Sequence, residues 1–298
     1  MIPFDGKLAE NFALPLAEAA YVSTAPPTGY IGGSTAFEIL ADTAHPDFQQ
    51  QLKTANAHHR NMLKSMFDQP TRPALDRAER ANQAAFSAMV RSVTPNLHFG
   101  WVCLGSSNTL IIAFRGTEFF KDWVDDFDFV PAPYAPVPGR GTVHQGFQLV
   151  YYAIRANLRT IVAKFANNCR ELFITGHSLG GALCALAAPD LLNDIASSLS
   201  PTVYTWAEPR VGHSDFGAFY NARINVSYRI ANIWDVVPHL PPVLAAYEHE
   251  GKCVTINSGF SLDIVRNHVL ITGYAPGIAT WNANHPGGAA GPLVGHTT

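Results

Sequence analysis

The sequence predicts an α/β fold, with a mainly parallel central sheet and helices on both faces. Two observations carry this reading. Between residues 150 and 270 short apolar runs alternate with helical stretches, as expected of a sheet buried on both sides. One run, Leu172-Phe173-Ile174, passes through Thr175-Gly176-His177-Ser178-Leu179-Gly180-Gly181 into a Leu/Ala-rich helix. A strand that turns so abruptly into a helix brings backbones together, and glycine at 176 and 180 leaves room for that.

In chain order, Leu8, Phe12, Leu16 and Ala20 recur every fourth residue and read as an amphipathic helix over 7–22, ended by Pro26-Pro27. Residues up to about 95 read as mostly helical, with a break at Pro70 and Pro73 and a further helix from Ala78 to Val90. Two apolar runs, His98 to Leu104 and Thr109 to Phe114, flank Gly105-Ser106-Ser107-Asn108 and predict a hairpin. Helices follow over Val150 to Asn167, Leu179 to Leu192, 213 to 222 and Leu262 to about Leu270. Strands are expected at Glu171 to Thr175, Val203 to Trp206, Val226 to Ile230 and Lys252 to Ile256. The Gly/Pro/Ala/Asn-rich tail, 276–298, reads as irregular, and the whole chain of 298 residues as a single domain.

Composition excludes several classes. Net charge is −3, so no basic field is available to hold nucleic acid. No apolar run approaches the roughly 20 residues that span a bilayer. Cys103, Cys169, Cys184 and Cys253 are scattered, without metal-ligand spacing, and free thiols are the expectation over up to two disulfides. The first residues lack a cationic stretch followed by an apolar one. No signal peptide is visible, which makes the cytoplasm the default compartment, with secretion from a longer precursor the alternative.

Ser178 projects from the apex of the predicted turn, at the N-terminus of a helix whose amides can stabilise an oxyanion. A serine hydroxyl needs a histidine to take its proton and a carboxylate to fix that histidine's tautomer, in the chain order serine, acid, histidine for this type of turn. Asp235 lies in the loop after the strand Val226 to Ile230, where ligand-facing groups of open α/β sheets collect. Glu208, one strand earlier, is its rival. Of the five histidines after Asp235, His239 shares the acid's loop, His249 precedes the last strand, and His285 and His296 sit in the tail. His268 is the first after the final strand, and it is the expected base.

Upstream, Ile111-Ile112-Ala113-Phe114-Arg115-Gly116-Thr117 is a strand ending in a turn with a hydroxyl residue, suited to a second oxyanion donor. In the stretch that follows, Phe119, Phe120, Trp123, Val124, Phe127 and Val130 fall on one arc of a helix projected at about 100° per residue, with almost all charges opposite. Next to an oxyanion turn, such a helix over 118–130 suits a lid that covers an apolar site in water and turns toward lipid.

Taken together, Phe114-Arg115-Gly116-Thr117, Asp122-Trp123 with Asp126, Val143-His144 with Gly146-Phe147, the Gly176-to-Gly181 turn, Pro209-Arg210-Val211-Gly212 and Asp235 with Val237-Pro238 resemble the class 3 lipases. These include the filamentous-fungal triacylglycerol lipases, and the resemblance spans about 98–275. It implies an α/β-hydrolase fold, nucleophile Ser178, acid Asp235, base His268, oxyanion donors at Thr117 and Leu179, and Asp126 orienting the Thr117 hydroxyl. It further implies a lid near 118–130. The implied activity is triacylglycerol hydrolysis without metal or organic cofactor and with transient contact to a lipid–water interface. A phospholipase A1, a feruloyl-type or short-chain esterase, and more remotely a non-catalytic binding module, are the alternatives. The chain departs from the family at Ala207-Glu208, where glycine is usual, and in the distance from His268 to Tyr274.

Overall fold

A computed structural model of the chain describes residues 3–21, 36–42, 44–51, 53–54, 57, 98–105, 108–117 and 129–286. The expected helix Ala78 to Val90, His296, Asp126 and the apolar lid residues Phe119, Phe120, Trp123, Val124 and Phe127 lie outside them.

Among the described residues, seven strands form one sheet in the order β1-β2-β3-β6-β7-β8-β9. They are β1 (Ala36–Leu40), β2 (His98–Gly105), β3 (Thr109–Phe114), β6 (Glu171–His177), β7 (Ser200–Trp206), β8 (Val226–Asn232) and β9 (Lys252–Ile256). The first three are antiparallel neighbours, and β3, β6, β7, β8 and β9 run parallel. A two-stranded ribbon, β4 (Pro131–Pro133) with β5 (Thr142–His144), stands apart.

Alternation along the strands feeds two cores. On β3, Leu110, Ile112 and Phe114 face one way, joining α2 (Gln145–Phe165), α3 (Leu179–Asn193) and α4 (Ser214–Arg223). Ile111 and Ala113 face the other way, toward the N-terminal helical segment and α5 (Ala275–Asn284). That N-terminal segment, α1, runs α-helically over Gly6–Leu8, through a π turn Ala9–Ala13, and on over Leu14–Ala19. α3 is buried along its whole length up to Leu192, which explains its apolar composition on every side. Cys103 and Cys184 are buried free thiols, and Cys169 and Cys253 are free as well.

Two sequence readings are corrected. The region up to 95 contains a strand, β1, which adds to the sheet edge through Ala36 to Leu40 and buries Ile39. The tail is not irregular from 276, because Ala275–Asn284 is helical. Pro276 occupies the first turn, where its missing N–H costs nothing. Gly277 lies so close to Ile256 that a Cβ would come within 2.8 Å of its side chain, so this glycine serves packing and not a helix break.

His98 fastens α1 to the sheet edge. Its Nδ1 meets Glu38 Oε1 at 2.7 Å and its Nε2 meets the Ala20 carbonyl at 2.8 Å. Tyr21, next after Ala20, thereby reaches the His177 ring at the turn after β6.

Candidate active site

Parallel register sets the site. Phe114 pairs with Gly176, so the chain leaving β3 at Arg115-Gly116-Thr117 runs beside Gly176-His177-Ser178. The approach is tight: a Cβ on Gly116 would stand 2.7 Å from the His177 carbonyl oxygen and 3.1 Å from Ser178 Cβ. A Cβ on Gly176 would stand 2.4 Å from the Gly180 carbonyl oxygen, and one on Gly180 would meet that of Phe114 at 2.4 Å. Ser178 itself holds φ 57° and ψ −124°, a strained backbone for a residue with a side chain. The elbow survives because its amide donates to the Trp206 carbonyl at 2.8 Å and its carbonyl accepts from Gly181 N at 2.9 Å. Leu179 starts the helix, so its amide has no carbonyl one turn earlier and points with the positive helix end toward the space beside Ser178.

His268 and Asp235 come together as expected. The His268 Nδ1 lies 2.9 Å from Asp235 Oδ2, with both residues buried. That oxygen also accepts the Tyr274 hydroxyl at 2.7 Å, and Oδ1 accepts the Val237 amide at 3.0 Å. A carboxylate with three donors stays an acceptor, so Nδ1 carries the imidazole proton and Nε2 is the nitrogen able to receive one. The Tyr274 phenol is held well above its ordinary range by burial and then by the Asp235 charge, so it remains a donor. Tyr274 lies six positions after His268, and the π turn Leu270–Tyr274 takes up this length.

Asn232, at the end of β8, joins the acid loop to the base. Its carbonyl accepts Asp235 N at 2.9 Å, while its side-chain amide donates to the Asn267 carbonyl at 2.9 Å and to Ser258 Oγ at 2.9 Å. Arg210 holds the far end of the acid loop by donating to the Pro241 carbonyl at 2.7 Å.

His177 is the site residue that sequence reasoning missed. Its Nε2 lies 2.9 Å from the His268 carbonyl, its Nδ1 lies 2.7 Å from the Tyr21 hydroxyl, and its ring packs against that of His268 at 4.6 Å. A carbonyl only accepts, so Nε2 carries the proton and Tyr21 donates to Nδ1. Burial, and then His268, push the His177 pKa well below its ordinary value, keeping this ring neutral next to the base. Tyr21→Phe removes the bond that fixes the His177 tautomer. Its expected result is a kcat about fivefold to tenfold lower on a soluble ester with KM unchanged, the scale of one net hydrogen bond.

The rivals fall elsewhere. Glu208 is buried behind α3, where a Cβ on Gly181 would lie 3.0 Å from Glu208 Cβ, and its charge neighbours are Glu250 and Arg229. His249 gives its Nε2 to the Pro238 carbonyl at 2.7 Å, and His285 stacks on Trp281. Among the described residues no group of three His, Cys, Asp or Glu is placed to hold a metal ion.

Residues 111–245 match the family of class 3 lipases. A lipase of Rhizomucor miehei is 38% identical over 152 residues, covering 49% of this chain and 41% of that protein. The secreted mono- and diacylglycerol lipase 1 of Fusarium solani is 34% identical over 152 residues, covering 50% of this chain and 44% of that protein. The chain thus spans under half the length of the curated relatives it matches. Among solved structures, the Rhizomucor miehei lipase propeptide complex aligns with 63% of this chain and 70% of its own at 27% identity and a TM-score of 0.50. The elbow, the acid loop and the end of the strand before Thr117 all lie inside the segment that matches the class 3 lipases.

Proposed function

We propose that this chain hydrolyses carboxylic esters of lipids, acylglycerols first among them, through an acyl-enzyme on Ser178. The observation that supports it most is the pairing of His268 with Asp235 at 2.9 Å alongside a serine held at φ 57°. His268 Nε2 takes the Ser178 proton as the oxygen attacks the ester carbonyl. The amides of Thr117 and Leu179 hold the oxyanion, and the imidazolium then protonates the leaving alcohol. Water, deprotonated by the same nitrogen, releases the acid. Asp235 and Tyr274 keep Nδ1 as the protonated nitrogen throughout, and the His177 bond to the His268 carbonyl fixes where the ring stands.

The Fusarium relative, named for mono- and diacylglycerols, favours acylglycerol as substrate. A phospholipase A1 or a feruloyl-type esterase would use the same residues. A fluorophosphonate is expected to label wild type and not Ser178→Ala. Nitrophenyl esters of rising chain length, assayed beside emulsified triglyceride, then decide the class. Absence of labelling would end the hydrolase reading, and labelling without triglyceride cleavage would end the triacylglycerol reading alone.

A further inference from the structure

We infer that a cleft at the end of the sheet opposite Ser178 binds an amphiphilic carboxylate of the free fatty acid class, a choice of ligand that rests on the ester-hydrolase reading above. The cleft holds about 860 Å³, within the range of small-molecule sites. It lies where β7, β8 and β9 begin, at Ser200, Val226 and Lys252, beside the C-terminal end of α4. Ser178 and Asp235 follow the other ends of parallel strands. The seven residues of β8, at about 3.3 Å each, put the cleft roughly 20 Å from the acid loop, so it is separate from the place where the ester reacts.

Charge defines what the cleft accepts. Among the described residues that line it, the charged ones are Arg223 and Lys252, both positive. Each is held by a carbonyl: Arg223 donates to that of Leu192 at 2.6 Å, and Lys252 Nζ to that of Asn225 at 3.3 Å, with the Tyr228 ring 5.2 Å away. Their positions are thereby set without a counter-charge, in a chain whose net charge is −3. The acids nearby in the chain are engaged elsewhere. Glu250 is buried with Glu208 and Arg229 as its charge neighbours, and Glu171, opposite Ser200 in the register, follows Arg170. Asn221 adds a neutral donor, because its Oδ1 accepts Gly251 N at 2.8 Å and its NH₂ is the end left to donate.

The ligand follows from charge and size together. An inorganic ion would leave most of the volume to water and make no use of Pro201 and Val226, which are half-buried on the walls. A neutral lipid would leave both cations without a partner. A carboxylate at the head of an apolar chain satisfies the two demands at once: a planar guanidinium pairs with its two oxygens, and the chain covers the apolar wall. Fatty acids are what lipid-ester hydrolysis releases. None of the lining residues belongs to the triad or the oxyanion turn, so product can be held here while Ser178 stays open to the next ester.

The test is calorimetric titration of octanoate, below its micelle-forming concentration, into the chain with Ser178 first blocked by a fluorophosphonate. One equivalent is expected to bind, with octanol and acetate each at least about tenfold weaker. Arg223→Gln and Lys252→Gln should each weaken octanoate about fivefold, the scale of one solvent-screened charged partner, and the double variant more than tenfold. All three variants keep wild-type kcat/KM on a soluble short-chain nitrophenyl ester, which reports that they fold. Absence of binding to the blocked chain overturns the proposal, as does undiminished binding by the double variant. Octanol binding as tightly as octanoate overturns the carboxylate, and acetate doing so overturns the amphiphile. Failure of the fluorophosphonate to label would end the hydrolase reading instead, and titration of the unlabelled chain against the double variant then still decides the cleft.

Discussion

Asp235→Asn is expected to lower kcat/KM by about 10⁴-fold on a soluble ester while leaving the fold intact, the scale such a substitution costs a serine triad. The reason lies in the three donors around the carboxylate. Oδ1 accepts the Val237 amide, a backbone N–H that cannot turn away. An asparagine must therefore keep its oxygen there and present its NH₂ where Oδ2 stood. The Tyr274 hydroxyl, now facing a donor, can rotate to accept. His268 can adapt only by becoming an acceptor at Nδ1, which moves its proton to Nε2, the nitrogen that must receive the Ser178 proton. The variant folds with the wrong tautomer. Tyr274→Phe removes one donor and leaves the tautomer right, so its effect is far smaller. Steady-state kinetics and the rate of fluorophosphonate labelling should fall together in Asp235→Asn; a loss under tenfold would place the acid elsewhere.

The elbow is legible in the sequence because its cause is local. Gly176 and Gly180 are four residues apart, and each answers a backbone that a Cβ would strike. Asp235 and His268 are legible by chain order, since parallel strands deliver their following loops to one end of the sheet. Tyr21 and His177 are not. They are 156 residues apart in the chain, and their hydrogen bond depends on where α1 ends, which His98 settles through the Ala20 carbonyl. A lone tyrosine after an amphipathic helix carries no signal of such a partner. Reading His177 as part of a turn motif likewise gives no reason for its ring to support the base.

The edge strand β1 and the last helix escaped for a different reason. Ala36 to Leu40 is five residues long and fully buries only Ile39, too short a pattern to distinguish strand from helix. In Ala275–Asn284 the residues that look like breakers, Pro276 and Gly277, are admitted by a first-turn position and by contact with Ile256.

Folding stability is expected to pass through a maximum in mildly acidic solution, because buried neutral groups of both kinds oppose each other. His177 is held well below 6.5 by burial and then by His268, and His249 by burial and then by Arg229 and Arg210. Below pH 6.5 the unfolded chain protonates both rings while the folded chain does not, so stability rises with pH up to that point. Glu208 and Glu250 work in reverse. Burial and then the Glu250 charge hold Glu208 well above 4.5, and burial raises Glu250 to about 7 against the opposing pull of Arg229. Above pH 4.5 the unfolded chain has released protons that these carboxyls keep, so each lowers stability as pH rises until its own folded-state pKa, about 7 for Glu250, is passed. Between 4.5 and 6.5 the two sets offset each other and the curve is shallow. Above 6.5 the histidines no longer contribute and stability falls, by about 1.4 kcal/mol per pH unit for each carboxyl still protonated. Glu208→Gln keeps the shape of the protonated acid without its titration. Urea midpoints for this variant should match wild type within about 1 kcal/mol at pH 5.5 and exceed it at pH 8.5. A wild type whose midpoint rises from pH 6.5 to 8.5, or a Glu208→Gln that loses stability equally at both pH values, would mean that the glutamate sits there charged.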